Sequence, residues 1–469
     1  DCDNVRFRYG TPEKIGGWNQ LGESKLTGVA RGLHHFVNKA STKFAAIGTN
    51  RILYVYSGGV FYDIHPLTNP SGTAITNAFS TTNNDPTVTI TFSGSHNFQA
   101  GDIILFGDAS TFSAITNSNF AAADFNDKKF MVTTVPSSTT ITITMASNES
   151  GSGATTSGGI RVQHYYPVGP AVQAKGFGWS LGSWGGQIAG NPTTTLQNGI
   201  TDTATTGIIL VDSSQFPTAG TNFLQIDSEE ISYTGIAATG ELTGVTRGVG
   251  GTTAAAHSGG ATITSTTTFI GWGEAASGDL VLEPGMWSLD NFGDKAICLI
   301  HDSAVFSWDS SLSNATSTRA AIITGAPTAS RHMVVSTPDR HLVFFGTETT
   351  IGNTSTQDDM FIRFSDQEDI NTYTPTATNT AGTQRLADGS KIIGTLRGRT
   401  GNYIWTDTAM FTMRFIGAPF TFGFEQVGTN CGLIAQHAAI EVDGIIYWMS
   451  EDSFFYFDGA SVKKLPCLV

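Results

Sequence analysis

The chain has 469 residues, a formal net charge of −14 and only 14% charged residues, and at about 150 residues per domain its length predicts about three domains. The acidic balance argues against a nucleic-acid or anionic-membrane surface spread over the whole chain, and leaves room only for an isolated basic patch. General disorder is excluded, because 39% hydrophobic residues, including 30 Phe, can bury enough apolar surface to offset the entropy of the chain.

Residues 1–70 contain the first copy of an aromatic pattern. Residues 52–56 are apolar, residues 57–59 form a Ser-Gly-Gly turn, and residues 60–64 are an aromatic segment that ends at an Asp and an Ile. A further short strand is predicted before them, at 43–47. This order is typical of a β-hairpin or meander.

Residues 71–168 are rich in Thr and lack that aromatic pattern. Strands with alternating apolar residues are predicted at 87–92, 102–106, 129–133 and 140–144. Gly, Ser and Pro separate them, and the best candidate for a helical turn or two is 119–125. We expect a small β-barrel or sandwich inserted in a loop of the surrounding fold.

Residues 169–189 are predicted to return to the main fold, and residues 190–268 to form a second insert of the same kind. Predicted strands of this insert are 207–211, 222–226 and 230–233. They are followed by residues 246–259, which predict a long loop of small residues. The main fold then consists of residues 1–70, 169–189 and 269–469.

The aromatic pattern recurs in the last part of the chain. Residues 296–309 and 445–459 repeat it closely, and residues 333–347 and 403–417 repeat it loosely. Short antiparallel sheets that recur along a chain are typical of a β-propeller. We therefore predict an all-β chain, a β-propeller with two inserted small β-barrel or sandwich domains. One large β-sandwich is the alternative.

The spacing of the cysteines and the length of the apolar runs argue against several classes of protein. Cys2, Cys298, Cys431 and Cys467 form no CxxC or CxxH pair, which argues against zinc and thioredoxin-type sites and favours buried free thiols. The longest apolar runs are far shorter than the roughly 18 residues that cross a bilayer, so we expect no membrane span. The first four residues have no signal-peptide pattern.

Acidic residues offer the first candidates for catalysis, because a pair of carboxylates can cleave a glycosidic bond. The densest groups, together with one pair that flanks a strand, are Asp358 and Asp359, then Asp366, Glu368 and Asp369, and finally Asp102 and Asp108. Carboxylates in loops more often accept hydrogen bonds from backbone N–H groups in turns. Residues 358–369 also lack the glycine-centred spacing of a calcium loop.

Other motifs are weaker. Ser303 follows His301 and Asp302, but neighbours in a tight turn point apart. His34 and His35 lack metal-ligand spacing, and Gly248 to Gly251 lack the P-loop sequence. The dipeptide at 308–309 is a lone Trp-Asp, without the rest of a WD40 repeat. We expect no catalytic, cofactor-binding or metal-binding residues, and no enzyme.

Several segments resemble a known family. These are residues 5–18 (VRFRYGTPEKIGGW), 363–369 (RFSDQED), 379–382 (NTAG), 404–411 (IWTDTAMF), 428–434 (GTNCGLI) and 442–467. They resemble the tail nozzle proteins of short-tailed bacteriophages, which are related to packaged-DNA stabilising proteins. In the second insert, residues 228–234 (SEEISYT) and 244–258 (GVTRGVGGTTAAAHS) look like a small β module of phage tail proteins. The first insert is similar in style to another such module.

The resemblance implies a structural protein of the virion tail. It implies a homohexameric ring below the portal and adaptor proteins, around the channel through which duplex DNA leaves without specific binding. Inserts in propeller loops project outward, so they are the expected contacts to the adaptor and to tail fibres or spikes. The alternatives are a receptor- or glycan-binding propeller at the tail tip and a carbohydrate-cleaving tail enzyme.

Overall fold

The structure, a computed structural model, describes residues 5–16, 25–107, 119–148, 159–169, 174–175, 193–213, 216, 220–237, 239–266, 281–282, 284–337, 339–417 and 420–466. The chain forms two compact units. The first unit contains residues 1–70, 164–169 and 285–469, and the second contains residues 71–163 and 170–284. The second unit thus includes most of both predicted inserts, whereas residues 164–168 belong to the first.

The first unit starts with a hairpin of β1 (Val5–Arg8) and β2 (Thr11–Lys14). A four-stranded antiparallel meander follows, which we call the first blade. Its strands are β3 (Ala30–Val37), β4 (Lys43–Thr49), β5 (Leu53–Ser57) and β6 (Val60–Asp63). Gly58 and Gly59 both have positive φ, 58° and 91°, so the turn between β5 and β6 needs the glycines that the sequence supplies there.

The first insert is a seven-stranded sheet, in the order β7-β13-β10-β11-β12-β9-β8. Its elements are β7 (Thr73–Thr76), β8 (Phe79–Thr81), β9 (Thr87–Thr91), β10 (Ile103–Gly107), α1 (Ala122–Phe125), β11 (Lys129–Ser137), β12 (Thr140–Thr144) and β13 (Gly159–His164). A buried cluster of Phe, Ile and Val forms its core, in which the Phe79 and Phe125 rings lie 4.9 Å apart. The four predicted strands are confirmed within one or two residues, except that β11 continues to Ser137, and the helical turn predicted at 119–125 is α1, which begins three residues later.

The second insert is a five-stranded sheet, in the order β15-β21-β16-β17-β20, with a separate β18-β19 pair. Its strands, and the short pair β14 and β22 that precedes and follows them in the chain, are β14 (Ala174–Lys175), β15 (Thr193–Thr195), β16 (Asn222–Ile226), β17 (Glu229–Tyr233), β18 (Gly235–Ile236), β19 (Leu242–Thr243), β20 (Thr246–Val249), β21 (Thr262–Ser265) and β22 (Val281–Leu282). Apart from Gly169 and β14, the predicted propeller segment 169–189 lies outside the described residues.

Two predictions for the second insert are wrong. Residues 207–211 form isolated bridges rather than a strand, because their N–H groups turn to different partners: Leu210 donates to Gly240, and Val211 to Thr195. Thr246–Val249, predicted as the start of a loop, is strand β20, because it pairs with β17. The pairing was hidden by the small and polar residues of β20.

Four further blades complete the first unit, each a four-stranded antiparallel meander. The second blade is β23 (Trp287–Phe292), β24 (Lys295–Ile300), β25 (Val305–Asp309) and β26 (Ala321–Ile322), and the third is β27 (Ser330–Ser336), β28 (His341–Thr347), β29 (Phe361–Phe364) and β30 (Gly382–Arg385). The fourth is β31 (Ile392–Arg397), β32 (Asn402–Thr406), β33 (Ala409–Gly417) and β34 (Thr421–Thr429), and the fifth is β35 (Ala439–Val442), β36 (Ile445–Met449), β37 (Phe454–Phe457) and β38 (Val462–Leu465). Short 3-10 helices occupy Ala315–Ser317 and Thr354–Thr356.

Successive blades stack face to face through apolar clusters. One cluster joins the first and second blades, another the second and third, another the third and fourth, and another the fourth and fifth. The first strands of the first four blades also contact each other in chain order. This is the β-propeller that the five aromatic segments predict, because each segment supplies all or part of two consecutive strands of one blade.

Cys298 and Cys431 are buried free thiols in these clusters, as predicted. Burial raises the pKa of the Cys298 thiol to about 12 and that of Cys431 to about 11. Cys2 and Cys467 lie outside the described residues. In the part of the chain that the structure describes, no helix has the length and apolar character of a membrane span.

Candidate functional site

The first strands of four blades converge on a cleft at the centre of the propeller, which we call the axial cleft. It has a volume of about 260 Å³, and its wall is completed by the segment that precedes the fifth blade. Five polar side chains of this wall matter for its chemistry: His34, Asp290, Arg397, Gln436 and His437. Each comes from the start of a different blade, except that Gln436 and His437 share one segment.

Asp290 is the buried centre of the cleft. Its Oδ1 accepts hydrogen bonds from Arg397 Nη1 at 2.7 Å and from the Asn291 N–H at 2.8 Å, and its Oδ2 accepts from the Val335 N–H at 2.8 Å. His34 Nε2 donates to Asn291 Oδ1 at 3.0 Å. One carboxylate of the second blade therefore ties the third and fourth blades together, and the first blade is held beside it.

The segment before the fifth blade is tied to the second blade in the same cleft. Gln436 Nε2 donates to Ser288 Oγ at 2.8 Å. Burial lowers the pKa of the neighbouring His437 below its usual value. The arrangement joins blades by polar contacts at the centre, beside apolar side chains such as Leu289 and Met333 that line the same cleft.

A second buried cluster lies in the second insert. Glu229 accepts hydrogen bonds from Arg247 Nε at 2.7 Å, Arg247 Nη2 at 2.8 Å and His257 Nε2 at 2.8 Å. The N–H groups of Gly248 and Ala255 donate to the same carboxylate, at 3.0 and 2.9 Å. Arg247 also donates to three backbone carbonyl oxygens, those of Thr201, Ala204 and Ala255.

This cluster holds the segment 246–259 on the sheet. Burial alone would raise the pKa of Glu229, but the hydrogen bonds from Arg247, Ala255 and His257 outweigh it and lower the pKa to about 2. Gly248, Gly250 and Gly251 have positive φ of 62°, 63° and 83°, a backbone conformation that favours glycine. Gly248 lies in β20 beside the carboxylate, and Gly250 and Gly251 form the turn that follows this strand.

The acidic residues that the sequence analysis named as candidates accept hydrogen bonds from nearby arginines and backbone N–H groups. Asp358 Oδ2 accepts from Arg385 Nε at 2.6 Å, Asp359 from Arg331 Nε at 2.7 Å, and Glu368 from Arg340 Nε at 2.7 Å. Three more carboxylates accept hydrogen bonds from backbone N–H groups: Asp366 accepts from the Thr380 N–H at 2.8 Å, Asp369 from the Asn371 N–H at 2.8 Å, and Asp102 in the first insert from the Gln99 N–H at 2.8 Å. Asp108 lies outside the described residues.

The pKa values of two of these carboxylates agree with that role. Hydrogen bonds from the Thr380 hydroxyl and N–H lower the pKa of Asp366. For Asp358, burial acts to raise the pKa, but the bonds from Arg385 and the Met360 N–H outweigh it and lower the pKa. Both groups are thus held as anions by neighbours within their own blade.

The remaining motifs are also spread through the blades. Ser303 closes a turn by donating its N–H to Ile300, while His301 Nε2 lies 3.8 Å from Asp302 Oδ2. His34 is half-buried and His35 is exposed, because neighbours on β3 point to opposite faces. Trp308 is a core residue that donates to Ala315 and Thr318. Within the described ranges, no group of three His, Cys, Asp or Glu could hold a metal ion.

Among its described residues the propeller exposes several large apolar side chains, and two groups of them lie in the fourth and fifth blades. The fifth blade exposes Ile440, Val442, Met449 and Phe454 on one face. The long hairpin of β33 and β34 exposes Phe415, Ile416 and Phe420 at its tip. Contiguous exposed apolar patches on propellers are typical of protein contacts, and sequence reasoning found neither of these surfaces.

No protein-family model and no curated protein matches the chain. Among solved structures, it is similar to AztD of Citrobacter koseri, with 12% identity, 90% of this chain and 93% of that chain covered, and a TM-score of 0.25. The extracellular domain of the hybrid two-component system BT4673 of B. thetaiotaomicron matches at 9% identity, with 92% and 60% covered and a TM-score of 0.27. The endosialidase of phage phi92 matches at 12% identity, with 89% and 52% covered and a TM-score of 0.16. These TM-scores carry no functional argument, and the propeller assignment rests on the five sheets described above.

Proposed function

We propose that this chain is a structural subunit of a bacteriophage tail nozzle, which forms a ring around the DNA-exit channel below the portal and adaptor proteins. The observation that supports the proposal is the location of the segments that resemble nozzle proteins. Apart from residues 5–18, whose described part contains the separate β1–β2 hairpin, these segments lie in the third, fourth and fifth blades, so most of the resemblance concerns the propeller.

Arg363, in one of those segments, shows how such a residue works. It is buried in the third blade and donates to the carbonyl oxygens of Tyr373 at 3.3 Å, Glu348 at 3.2 Å and Thr349 at 2.8 Å. These bonds hold the connections on either side of β29. A buried Arg whose guanidinium donates to backbone oxygens stabilises the fold and does not bind a ligand.

The segment 428–434 has a similar role between the fourth and fifth blades. A Cβ on Gly428 would lie 2.6 Å from Cys431 Sγ and 2.8 Å from Val462 Cγ2, and a Cβ on Gly432 would lie 2.0 Å from the Asp407 carbonyl oxygen. Only glycine fits such close approaches. The Trp448 indole N–H donates to the Cys431 carbonyl oxygen at 2.8 Å in the same place.

A rigid propeller of this kind suits a tail protein that surrounds DNA during its exit. Antiparallel meanders with short turns are stiff, and the exposed apolar surfaces of the fourth and fifth blades supply lateral contacts to neighbours. The net charge also fits. Six copies carry a formal charge of 6 × −14 = −84, so the assembly as a whole repels phosphates, and few contacts would hold the duplex during its passage.

The mass of the protein in solution tests this proposal. A six-fold ring of 49.6 kDa chains has a mass of about 298 kDa, and light scattering coupled to size exclusion measures it directly. A trimer would favour a fibre or spike at the tail tip and would contradict the nozzle. Cleavage of a carbohydrate that Asp366→Ala or Glu368→Ala abolishes would contradict a purely structural role.

A further inference from the structure

A second cavity of the propeller lies beside the axial cleft, where the first strands of the second, third and fourth blades end. We call it the arginine cavity. It has a volume of about 370 Å³, and Arg397, the last residue of β31, lines both it and the axial cleft. Arg340, in the turn between β27 and β28, also lines it. Among the described residues, its wall carries these two positive charges and no carboxylate, in a chain with a formal net charge of −14.

Arg397 is held in place from the side of the axial cleft. Its Nη1 donates to Asp290 Oδ1 at 2.7 Å, and only 7% of the Asp290 side chain is exposed. Asp290 lines the axial cleft but not the arginine cavity. Within the described residues Arg397 donates its side chain to no other acceptor, so most of the five N–H groups of its guanidinium have no partner.

Arg340 is held in a similar way on the other side of the cavity. Its Nε donates to Glu368 Oε2 at 2.7 Å, and its Cζ lies 4.7 Å from the centre of the Phe292 ring. Glu368 does not line the arginine cavity either. The terminal nitrogens lie beside Gly293, where a Cβ would be 3.4 Å from Nη2 and 3.9 Å from Nη1. In the part of the chain that the structure describes, these two nitrogens have no acceptor.

The donors of this wall define the chemistry of a ligand. Two guanidinium groups, each oriented by a carboxylate that lies outside the cavity, are preorganised to bind an anion by charge-assisted hydrogen bonds. The exposed Thr337 lines the same wall and adds a hydroxyl donor. Since Asp290 and Glu368 offset part of the positive charge, the directed N–H groups must supply much of the affinity.

The number of donors favours phosphate over carboxylate. A carboxylate offers two oxygens, whereas a terminal phosphate offers three strong acceptor oxygens and a charge of about −1.5 to −2 at pH 7. Two guanidinium forks and a hydroxyl can therefore be satisfied together by one phosphate. A cavity of this volume also accommodates a small molecule that carries such a group.

We propose that the arginine cavity binds a terminal phosphate group, either inorganic phosphate or the phosphate of a small ester, through Arg340 and Arg397. The backbone of duplex DNA is a different ligand, because its phosphates are diesters with one charge each and lie on a convex surface. The inference goes beyond the proposed function, and it holds or fails independently of it.

Titration calorimetry of the full chain with inorganic phosphate tests the site. Arg340→Gln removes one guanidinium and leaves the buried pair of Asp290 and Arg397 intact, so we expect a folded protein whose affinity for phosphate falls at least tenfold. Arg385→Gln is the matched control. Arg385 Nε donates to Asp358 Oδ2 at 2.6 Å in the same blade, and Arg385 does not line the cavity, so the affinity should change less than twofold.

A second variant and a set of anions identify the groups that bind. Arg397→Lys keeps a positive charge beside the buried Asp290 but removes the planar fork of donors, so the affinity should fall at least fivefold while unfolding stays cooperative. Sulfate, which is also a tetrahedral dianion, should compete with phosphate, and acetate should bind at least tenfold more weakly. Tighter binding of ribose 5-phosphate than of inorganic phosphate would assign a phosphate ester as the ligand, and equal affinity would assign the phosphate group alone.

Four results would overturn the inference. The first is that the unaltered chain shows no saturable binding of phosphate, and the second is that Arg340→Gln and Arg385→Gln lower the affinity equally. The third is that acetate binds as tightly as phosphate, which would indicate a carboxylate site. The fourth is that unphosphorylated duplex DNA displaces bound phosphate, which would assign the cavity to the nucleic-acid backbone.

Discussion

Replacing Glu229 by Gln removes the negative charge at the centre of the second insert. Arg247 would then be buried beside a neutral amide, whose one oxygen and the three backbone carbonyl oxygens remain as acceptors. The amide nitrogen of Gln would also face donors on Arg247, His257 and Ala255. Removing one partner of a buried ion pair costs about 3 to 5 kcal/mol, and we expect the lower value because the carbonyl oxygens still hold the guanidinium.

Hydrogen exchange on the full chain measures this cost locally. A loss of about 3 kcal/mol increases the opening equilibrium more than a hundredfold, so the amides of Gly248 and Ala255 should exchange correspondingly faster in Glu229→Gln. Amides of the propeller should not change.

Glu241→Gln is the matched control for this experiment. Its carboxylate accepts one hydrogen bond, from the Gly207 N–H at 2.7 Å, near the surface, so the cost should stay below about 1 kcal/mol. If Glu229→Gln and Glu241→Gln had equal effects, the buried cluster would not hold the segment 246–259, and the reasoning would be refuted.

Four further predictions concern the blades, the inserts and DNA. Trp448→Ala should cost about 3 to 5 kcal/mol, because the side chain is only 2% exposed and packs 5.6 Å from the Trp405 ring; an unchanged melting temperature would contradict the blade assignment. Burial lowers the pKa of His65 from 6.5 to about 4, so as pH falls the unfolded state binds the proton before the folded state does. Between pH 6.5 and pH 4 the free energy of unfolding of the first unit should therefore fall by up to about 3 kcal/mol. Denaturant midpoints would show this loss, and His65→Gln should reduce it. Residues 71–168 and 190–268, expressed alone, should each unfold cooperatively; aggregated or molten products would contradict these boundaries. The assembled protein should bind duplex DNA weakly, and tight binding with a steep salt slope would contradict a conduit that does not hold its cargo.

Local patterns made the blades predictable. Residues 296–309 and 445–459 combine alternating apolar residues with a polar turn, and such hairpins need only neighbours in sequence to form. The same is true of the Thr-rich strands at 87–91 and 140–144, which are confirmed. Residues 207–211 have the composition of a strand too, but their partners lie in two different segments, which no local pattern reveals.

The polar clusters could not be predicted from the sequence, because their residues are far apart in the chain. Asp290 meets Arg397 across 107 positions of sequence, and neither residue stands in a motif. Glu229, Arg247 and His257 lie in the segments that look like a phage module, yet their convergence depends on the pairing of β17 and β20.

We propose that this chain surrounds the DNA-exit channel of a virion. Electron microscopy of virions that contain the chain, with the chain labelled by an antibody fragment, tests this proposal most directly. The account predicts six labels in one ring on the tail, below the portal and on the axis along which DNA leaves. Labels at the tips of fibres or spikes, in groups of three, would contradict it.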